Sequence, residues 1–374
     1  MLFMQTYRAM MAACCLRPVA CQVIAAVFRS RALPLFSQLP ASGRPVACLV
    51  VNLLFWSGAR ANCLELNIEI LNTWFDPFCQ HSIGTLHRWG MRTHAPNLLS
   101  WESTPPHARQ KLVLHGYRPV GGRLDVPGTF LMLHNETVNI WSHLVAFGWM
   151  AHRTWETAVD GRTTADARLY TQVFHGCAAF TFCMSAVCHA FAPGLPPAQS
   201  AALWRWDSIG ICTLATGSYV PALRFAFRCH PDWLLTYTAL VAGLSGASLA
   251  SLVLWRRETS PNVTSLVPPA FVTSIAVTCA FCLVPMLHWC SFAEPADRAL
   301  LLPSMLGVPA SYAIGFAFWK LCPLERAWAA GAFCYFGSHC VWHLAVVAAV
   351  ALTDWAFQQV SSRPWDGSDC RPYA

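Results

Sequence analysis

Four side chains able to bind a metal or transfer a proton lie in stretches that are otherwise apolar: His189, Asp207, His339 and His343. His339 and His343 are four residues apart, so on a helix both imidazoles share one face about 6 Å apart, a separation suited to one ion. His189 could supply a third nitrogen, which leaves a tetrahedral zinc ion one open position for water. Asp207 could accept a proton from that water or bind the metal itself. These residues predict a zinc (Zn2+) site with three histidine ligands.

Ser185 precedes His189 by one helical turn, so its hydroxyl is expected on the same side of the helix. It could orient His189, hydrogen-bond a water on the metal, or donate to the backbone carbonyl of residue 181, as serines in membrane helices often do. The carbonyl contact is favoured for Ser185 considered alone. Ser185 and Asp207 are the two candidate catalytic residues.

A further polar stripe is formed by Glu136, Asn139 and His143, which repeat at steps of three and four residues. We interpret it as an anchor that holds the start of a helix or ties the preceding segment to the bundle, because catalysis by Glu136 would require it to lie near the metal. Isolated histidines of the apolar runs are interpreted as hydrogen-bonded packing residues, and these are His143, His152, His175 and His288.

The composition places these side chains in a membrane. Apolar residues make up 55% of the 374 residues and charged residues only 11%, which is too apolar for a soluble domain of this size. An ionisable side chain at bilayer depth costs several kcal/mol unless it is paired, hydrated or bound to a metal, so such residues mark function. The 25 Lys and Arg residues are scattered through short links, which excludes a nucleic-acid-binding patch.

The 18 cysteines have no regular spacing, and most are interpreted as small apolar side chains within helices rather than as a disulfide framework. Cys279 and Cys282 form a C-x-x-C pair inside a predicted span without a second pair, which argues against a zinc ribbon or a redox site. The cysteines therefore contribute no candidate site.

Seven long apolar runs, separated by short polar or proline-containing links, follow residue 137. They predict an all-α membrane protein with a seven-transmembrane helix bundle, and the spans lie near 137–158, 168–191, 204–223, 233–255, 266–289, 299–319 and 328–352. Seven antiparallel crossings bring the end of the second span and the starts of the third and seventh to one face of the membrane. The three histidines and Asp207 occur at those places, so they can meet near the cytosolic face.

The chain divides into four predicted parts. Residues 1–64 contain no Asp or Glu and have apolar runs broken by Arg17, Pro18 and Pro34, which is typical of a leader or a poorly ordered N-terminal segment. Residues 65–128 predict a cytosolic N-terminal arm with interfacial helices. Residues 129–355 form the predicted seven-transmembrane domain, and residues 356–374 a short C-terminal tail.

Basic residues that flank the spans favour a cytosolic N-terminus and an extracellular or lumenal C-terminus, because the arm before the first span supplies most of the Lys and Arg bias. Two N-x-T sequons begin at Asn135 and Asn262. In this orientation both lie on the inner side, so neither is expected to carry a glycan, and a glycan on Asn262 would invert the topology.

Several motifs surround the candidate site. The approach to the first span reads Leu114-His115-Gly116-Tyr117-Arg118-Pro119 and then His134-Asn135-Glu136-Thr137-Val138-Asn139-Ile140-Trp141-Ser142-His143. Later in the chain come Ser185-x-x-x-His189, Asp207-Ser208-Ile209-Gly210-Ile211, Gly217-Ser218-Tyr219-Val220-Pro221, Val284-Pro285-Met286-Leu287-His288 and Ser338-His339-x-x-x-His343. Together these motifs, over roughly residues 112–355, resemble the progestin and adipoQ receptor family, most closely its adiponectin receptor branch.

The resemblance implies seven helices with a cytosolic N-terminus, and a zinc ion held by His189, His339 and His343 with Asp207 near its water. It also implies a membrane receptor with ceramidase-like activity, that is, zinc-dependent hydrolysis of a lipid amide. Membrane lipids, a sphingolipid or another lipid amide, are then the expected partners, beside an extracellular ligand that the sequence does not specify.

Two other functions stay open. In the first, the chain is a non-enzymatic signalling receptor or membrane scaffold, and a purely structural zinc joins the helices. In the second it is a transporter, which is disfavoured because the spans show no inverted repeat and no pair of broken helices in matching positions.

Overall fold

The computed structural model describes residues 98–119, 129–130, 132–254, 267–327, 336–368 and 370, so the predicted segment 1–64 lies outside the described residues. Within these ranges the molecule is helical, which confirms the predicted all-α class. The α-helices are α1 (Thr137–Val159), α2 (Ala165–Phe191), α3 (Pro197–Ala226), α4 (Pro231–Val253), α5 (Pro269–Ala280), α6 (Leu283–Phe292), α7 (Pro295–Leu321), α8 (Pro323–Ala327) and α9 (Ser338–Val360). Two 3-10 helices cover Pro106–Ala108 and Ala192–Gly194.

Five helical stretches of the described chain are long and apolar enough to cross a membrane: α2 with its 3-10 extension, α4, α5 together with α6, α7, and α9. The protein is therefore an integral, multi-pass membrane protein. Helices α1 and α3, with 23 and 30 residues, are also long enough to span. Charged side chains lie within both helices, including Arg153 in α1 and Asp207 in α3. The count of seven spans stays a prediction.

Several helix boundaries differ from those predicted. Helix α3 begins at Pro197 instead of near 204, because proline is well accommodated at the first helical position. The span predicted at 266–289 is two helices that meet at Phe281 and Cys282. Pro285 has no N–H to donate to the carbonyl of Phe281, and its ring crowds that carbonyl, so a continuous helix is interrupted there. Helix α9 extends to Val360, so the predicted tail begins within a helix.

Small residues set how closely the helices pack. A Cβ added at Gly210 of α3 would lie 3.1 Å from Thr181 Cα of α2, and one at Gly217 would lie 2.5 Å from Cys177 Sγ. On the other side of the bundle, a Cβ at Gly315 of α7 would lie 2.6 Å from the Ala345 Cβ of α9. Close approach through small residues is the usual means by which membrane helices associate. These contacts fix α2 against α3 and α9 against α7.

The described part of the predicted arm, residues 98–119, folds back on itself. Leu99 and Tyr117 exchange backbone hydrogen bonds of 2.8 and 3.2 Å, and the helix present here is the single 3-10 turn Pro106–Ala108. Gly116 has φ of 86°, a conformation that favours glycine, and its carbonyl accepts from the Asn135 N–H at 2.8 Å. The arm is thereby joined to the residues that lead into α1.

The C-terminal residues after α9 are also joined to the bundle. Trp365 is fully buried and its Nε1 donates to the Val360 carbonyl at 2.9 Å. Arg363 pairs with Asp297 of α7 at 2.7 Å. A disulfide connects Cys370 to Cys229, which follows α3. The irregular cysteine spacing gave no indication of this pair.

Candidate metal centre

Three imidazoles converge at the end of α2 and the start of α9. The Nε2 atoms of His189 and His343 are 3.1 Å apart, those of His339 and His343 are 3.2 Å apart, and those of His189 and His339 are 3.4 Å apart. His189 and His343 are buried and His339 is half-buried. We call these three residues the histidine cluster. The structure thus brings together the three side chains that the sequence predicts as metal ligands.

The spacing of these nitrogens fits one bound ion. With metal–nitrogen bonds of about 2.0–2.1 Å, two ligands of a tetrahedral zinc ion lie about 3.3 Å apart, which the three measured distances bracket. Nitrogen lone pairs that face one another at this range repel unless a proton or a cation lies between them. The donor set therefore fits a metal, and zinc stays the predicted one.

Glu136 contacts His189 at Nδ1, the ring nitrogen that does not face the other two histidines. Its Oε2 atom lies 2.7 Å from His189 Nδ1, and both side chains are almost fully buried. A carboxylate that accepts from one ring nitrogen leaves the other free to bind metal, as is common at zinc sites. The anchoring role predicted for Glu136 also holds, because its Oε1 accepts from Gln110 of the arm at 2.6 Å. The sequence reasoning missed the contact with His189.

The start of α9 is fixed by a side chain from α8. Glu325 accepts from the Ser338 backbone N–H at 2.6 Å and from the Ser338 hydroxyl. A carboxylate at this position satisfies the free N–H of the first helical turn and is favourably placed in the helix dipole. Since His339 lies in that turn, Glu325 fixes the end of α9 that carries His339. No motif spacing in the sequence indicates Glu325, and its place in the fold alone identifies it.

His143 of α1 supports His343. The two rings stack with centroids 4.0 Å apart, and His143 Nε2 lies 3.4 Å from the His343 carbonyl oxygen. Phe182 of α2 covers the ring at a centroid distance of 4.9 Å. This is the packing role that the sequence predicts for His143.

Asp207 and Ser185 lie beside the histidine cluster. Asp207 is close enough to His189 for electrostatic interaction, and its carboxylate accepts a hydrogen bond from the Ser185 hydroxyl. Among the described residues, the three histidines alone form the group whose ligand atoms lie within 4.8 Å of one another. The geometry therefore places Asp207 next to a ligand rather than in the ligand set. Ser185 therefore lies on the side of α2 that faces Asp207, and its role stays a prediction.

Comparison with known proteins identifies the family of this arrangement. The sequence profile described as haemolysin-III related matches residues 131–353, more than half of the chain. The chain belongs to the haemolysin-III related family. The matched segment includes the histidine cluster, Glu136, Ser185 and Asp207.

This haemolysin-III related chain is also similar to progestin and adipoQ receptor proteins, which confirms the resemblance read from the motifs. The chain is 29% identical over 266 residues to human progestin and adipoQ receptor family member 4, covering 68% of this chain and 90% of that protein. It is 24% identical over 297 residues to heptahelical transmembrane protein 3 of Arabidopsis thaliana, covering 67% and 83%. It is 27% identical over 233 residues to the adiponectin receptor protein of Drosophila melanogaster, covering 58% and 48%.

A second buried polar group lies at the other end of α1, α2 and α9 in this haemolysin-III related chain. Asp354 is 2% exposed and lies 2.7 Å from His175 Nε2 and 2.9 Å from Arg153 Nε. Gln358 also donates to it at 2.7 Å. We call Arg153, His175 and Asp354 the Asp354 cluster. The sequence reading interpreted His175 as a hydrogen-bonded packing residue but did not find its partner Asp354, or Arg153, which pairs with Asp354 from α1.

Proposed function

We propose that this chain is a multi-pass membrane receptor of the adiponectin and progestin receptor type that also hydrolyses a lipid amide, with zinc at the histidine cluster. The observation that carries the proposal is the convergence of three Nε2 atoms 3.1 to 3.4 Å apart, with a carboxylate beside them. Three imidazoles leave zinc a coordination position for water or substrate. Ceramide is the substrate class that the family resemblance suggests.

Zinc bound there would lower the pKa of a water toward neutrality and polarise an amide carbonyl. Asp207 is the candidate general base, and a carboxylate oxygen of Asp207 would take up the proton. The Ser185 hydroxyl donates to this carboxylate and so orients the oxygen that receives the proton. The lipid chain would lie among the apolar side chains of the bundle.

The test uses full-length protein in lipid nanodiscs, with zinc content and ceramide turnover measured on the same samples. Asp207→Asn is expected to keep zinc and to lower kcat by about 10²–10⁴, the usual contribution of a general base. His339→Ala is expected to lose both zinc and turnover. Ser185→Ala is expected to keep zinc and to lower kcat by a smaller factor, and Ser208→Ala, which removes a hydroxyl bonded to the Trp204 carbonyl, is its matched control. Loss of zinc in His339→Ala with unchanged hydrolysis would falsify the mechanism.

A signalling receptor with a structural zinc is the second candidate. The positions of the three histidines favour it, because His189 lies on α2 whereas His339 and His343 lie on α9. An ion bound to all three would join the two helices. The fly relative is named as an adiponectin receptor protein. This candidate predicts that chelation lowers the unfolding temperature while no lipid amide is turned over at any zinc level.

For topology we propose seven crossings, with the N-terminus in the cytosol and the C-terminus outside or in the lumen. The disulfide between Cys229 and Cys370 supports this orientation, because it lies beyond the ends of α3 and α9 that are remote from the histidine cluster. Disulfides persist in oxidising compartments. A sequon inserted at Arg162, in the same outer position, should be glycosylated in microsomes while Asn262 is not. The reverse pattern would invert the topology.

A further inference from the structure

One carboxylate connects the N-terminal arm to the histidine cluster. Glu136 lies directly before α1 and is 2% exposed. Its Oε2 faces His189 Nδ1 at 2.7 Å and accepts from Asn139 Nδ2 at 2.8 Å. Its Oε1 accepts from Gln110 Nε2 at 2.6 Å and from Asn135 Nδ2 at 3.3 Å. Four donors, from the arm, the segment before α1, α1 and α2, thus meet on one side chain.

An ionised carboxylate is the group that satisfies all four donors. It offers two oxygens with about four acceptor positions and has no hydrogen to donate. A glutamine of the same shape would turn an NH2 group toward two of the donors, leaving buried N–H groups face to face. Because His189 Nδ1 donates to Glu136, the His189 Nε2 lone pair is free to face His339 and His343. The carboxylate therefore determines which tautomer of His189 reaches the metal.

Gln110 is itself held in place. The Tyr117 hydroxyl accepts from the Gln110 backbone N–H at 2.9 Å and donates to the Val113 carbonyl at 2.8 Å. Burial raises the pKa of Tyr117 to about 12, so this hydroxyl stays protonated near neutral pH. The side chain of Gln110 then has a fixed direction toward Glu136.

We propose that Gln110 and Glu136 are positioning residues of the metal centre, and that residues 98–119 form a functional part of it. The inference rests on the proposed metal binding by the three histidines but not on hydrolysis. Coupling between two sites is reciprocal, so an arm that favours metal binding must itself be stabilised when the metal binds. Metal affinity and arm stability are therefore two separate measurements of the same coupling.

The first experiment measures zinc affinity of the full-length protein by competition with a chromophoric chelator. Glu136→Gln is expected to weaken zinc binding by about 10- to 100-fold, the usual effect of removing such a partner of a metal ligand. Gln110→Ala is expected to weaken it by a smaller factor. Gln359→Ala is the matched control, since Gln359 is exposed and donates at 3.4 Å to the Trp355 carbonyl at the far end of α9. It should bind zinc as the wild type does.

The absorption spectrum of the Co2+-loaded protein separates positioning from general loss of stability. In Glu136→Gln the ligand-field bands should change because His189 presents the wrong nitrogen, whereas in Gln359→Ala they should match those of the wild type. Wild-type zinc affinity and an unchanged cobalt spectrum in Glu136→Gln would overturn the proposed positioning role. A wild type that binds no metal would instead overturn the proposed metal site, and the positioning role with it.

The second experiment follows the arm. Arg109 and Lys111 flank Gln110, and Lys111 is exposed, so trypsin can report on this segment. Zinc is expected to slow cleavage after Lys111 in the wild type and to have no effect on cleavage after Arg162, whose side chain is 92% exposed in the link between α1 and α2. The zinc effect should be lost in Glu136→Gln and reduced in Gln110→Ala. Equal protection in all three proteins would contradict the proposal.

Discussion

The histidine cluster and the Asp354 cluster lie at opposite ends of α1, α2 and α9, and both place ionisable groups in a buried setting. In the histidine cluster, three nitrogens of the same kind face one another, and the compensating carboxylate of Glu136 lies behind one of them. In the Asp354 cluster, each oxygen of the carboxylate already faces a cationic or neutral donor. The first arrangement would be stabilised by a cation at its centre, whereas in the second the carboxylate is already matched by donors from three side chains.

The difference teaches that burial of ionisable residues does not by itself indicate a ligand site. The balance of donors and acceptors decides whether such residues form a ligand site, because unmatched lone pairs require a cation whereas a matched ion pair does not. Asp354 lies 11 residues after His343, about 16 Å further along α9, so the two clusters can be altered separately.

The largest expected contrast concerns metal content. His343→Ala should reduce bound zinc from one equivalent to near zero, because two imidazoles do not hold zinc in a site of this kind. His175→Ala should retain a full equivalent, since its imidazole is engaged by Asp354. Elemental analysis of both purified variants measures this. Loss of zinc in His175→Ala would erase the distinction between the clusters.

The next effect concerns stability. Asp354→Ala leaves the buried His175 without its acceptor and the half-buried Arg153 with Glu156 as its remaining carboxylate, and should destabilise the protein by about 3–5 kcal/mol, as expected when one member of a buried ion pair is removed. The double variant Arg153→Met with Asp354→Leu should recover the part of this loss that comes from Arg153, because His175 has lost its acceptor in both variants. Unfolding in detergent measures both. Equal destabilisation by the single and double variants would show that the pair is not the source.

The smallest effect tests whether close packing of α7 against α9 positions α9, which contributes residues to both clusters. Gly315→Ala should cost about 1–3 kcal/mol, because the added Cβ would lie 2.6 Å from Ala345 Cβ and the helices must separate. Gly243→Ala is the matched control, as no atom lies within 4 Å of its added Cβ. That variant should be neutral or slightly stabilising through helix propensity. Zinc affinity should fall in Gly315→Ala and stay unchanged in Gly243→Ala.

Much of the candidate site could be predicted from the sequence. Apolar run lengths indicated a helical membrane protein, and alternation of direction placed His189 at the same end as His339 and His343. The four-residue spacing of the last two put them on one helical face. These features depend on local periodicity and topology, which the sequence carries directly.

The partners of those residues were decided by tertiary structure. Glu136 contacts His189 and Gln110 contacts Glu136 because of how the arm folds against the start of α1, and no periodic pattern links positions 110, 136 and 189. The Asp354 cluster forms only because α1, α2 and α9 turn these three side chains toward one another at the same level of the bundle. The same holds for the disulfide between Cys229 and Cys370. Sequence periodicity fixes the face of a helix, whereas the pairing of faces depends on close packing between helices at residues such as Gly210 and Gly315.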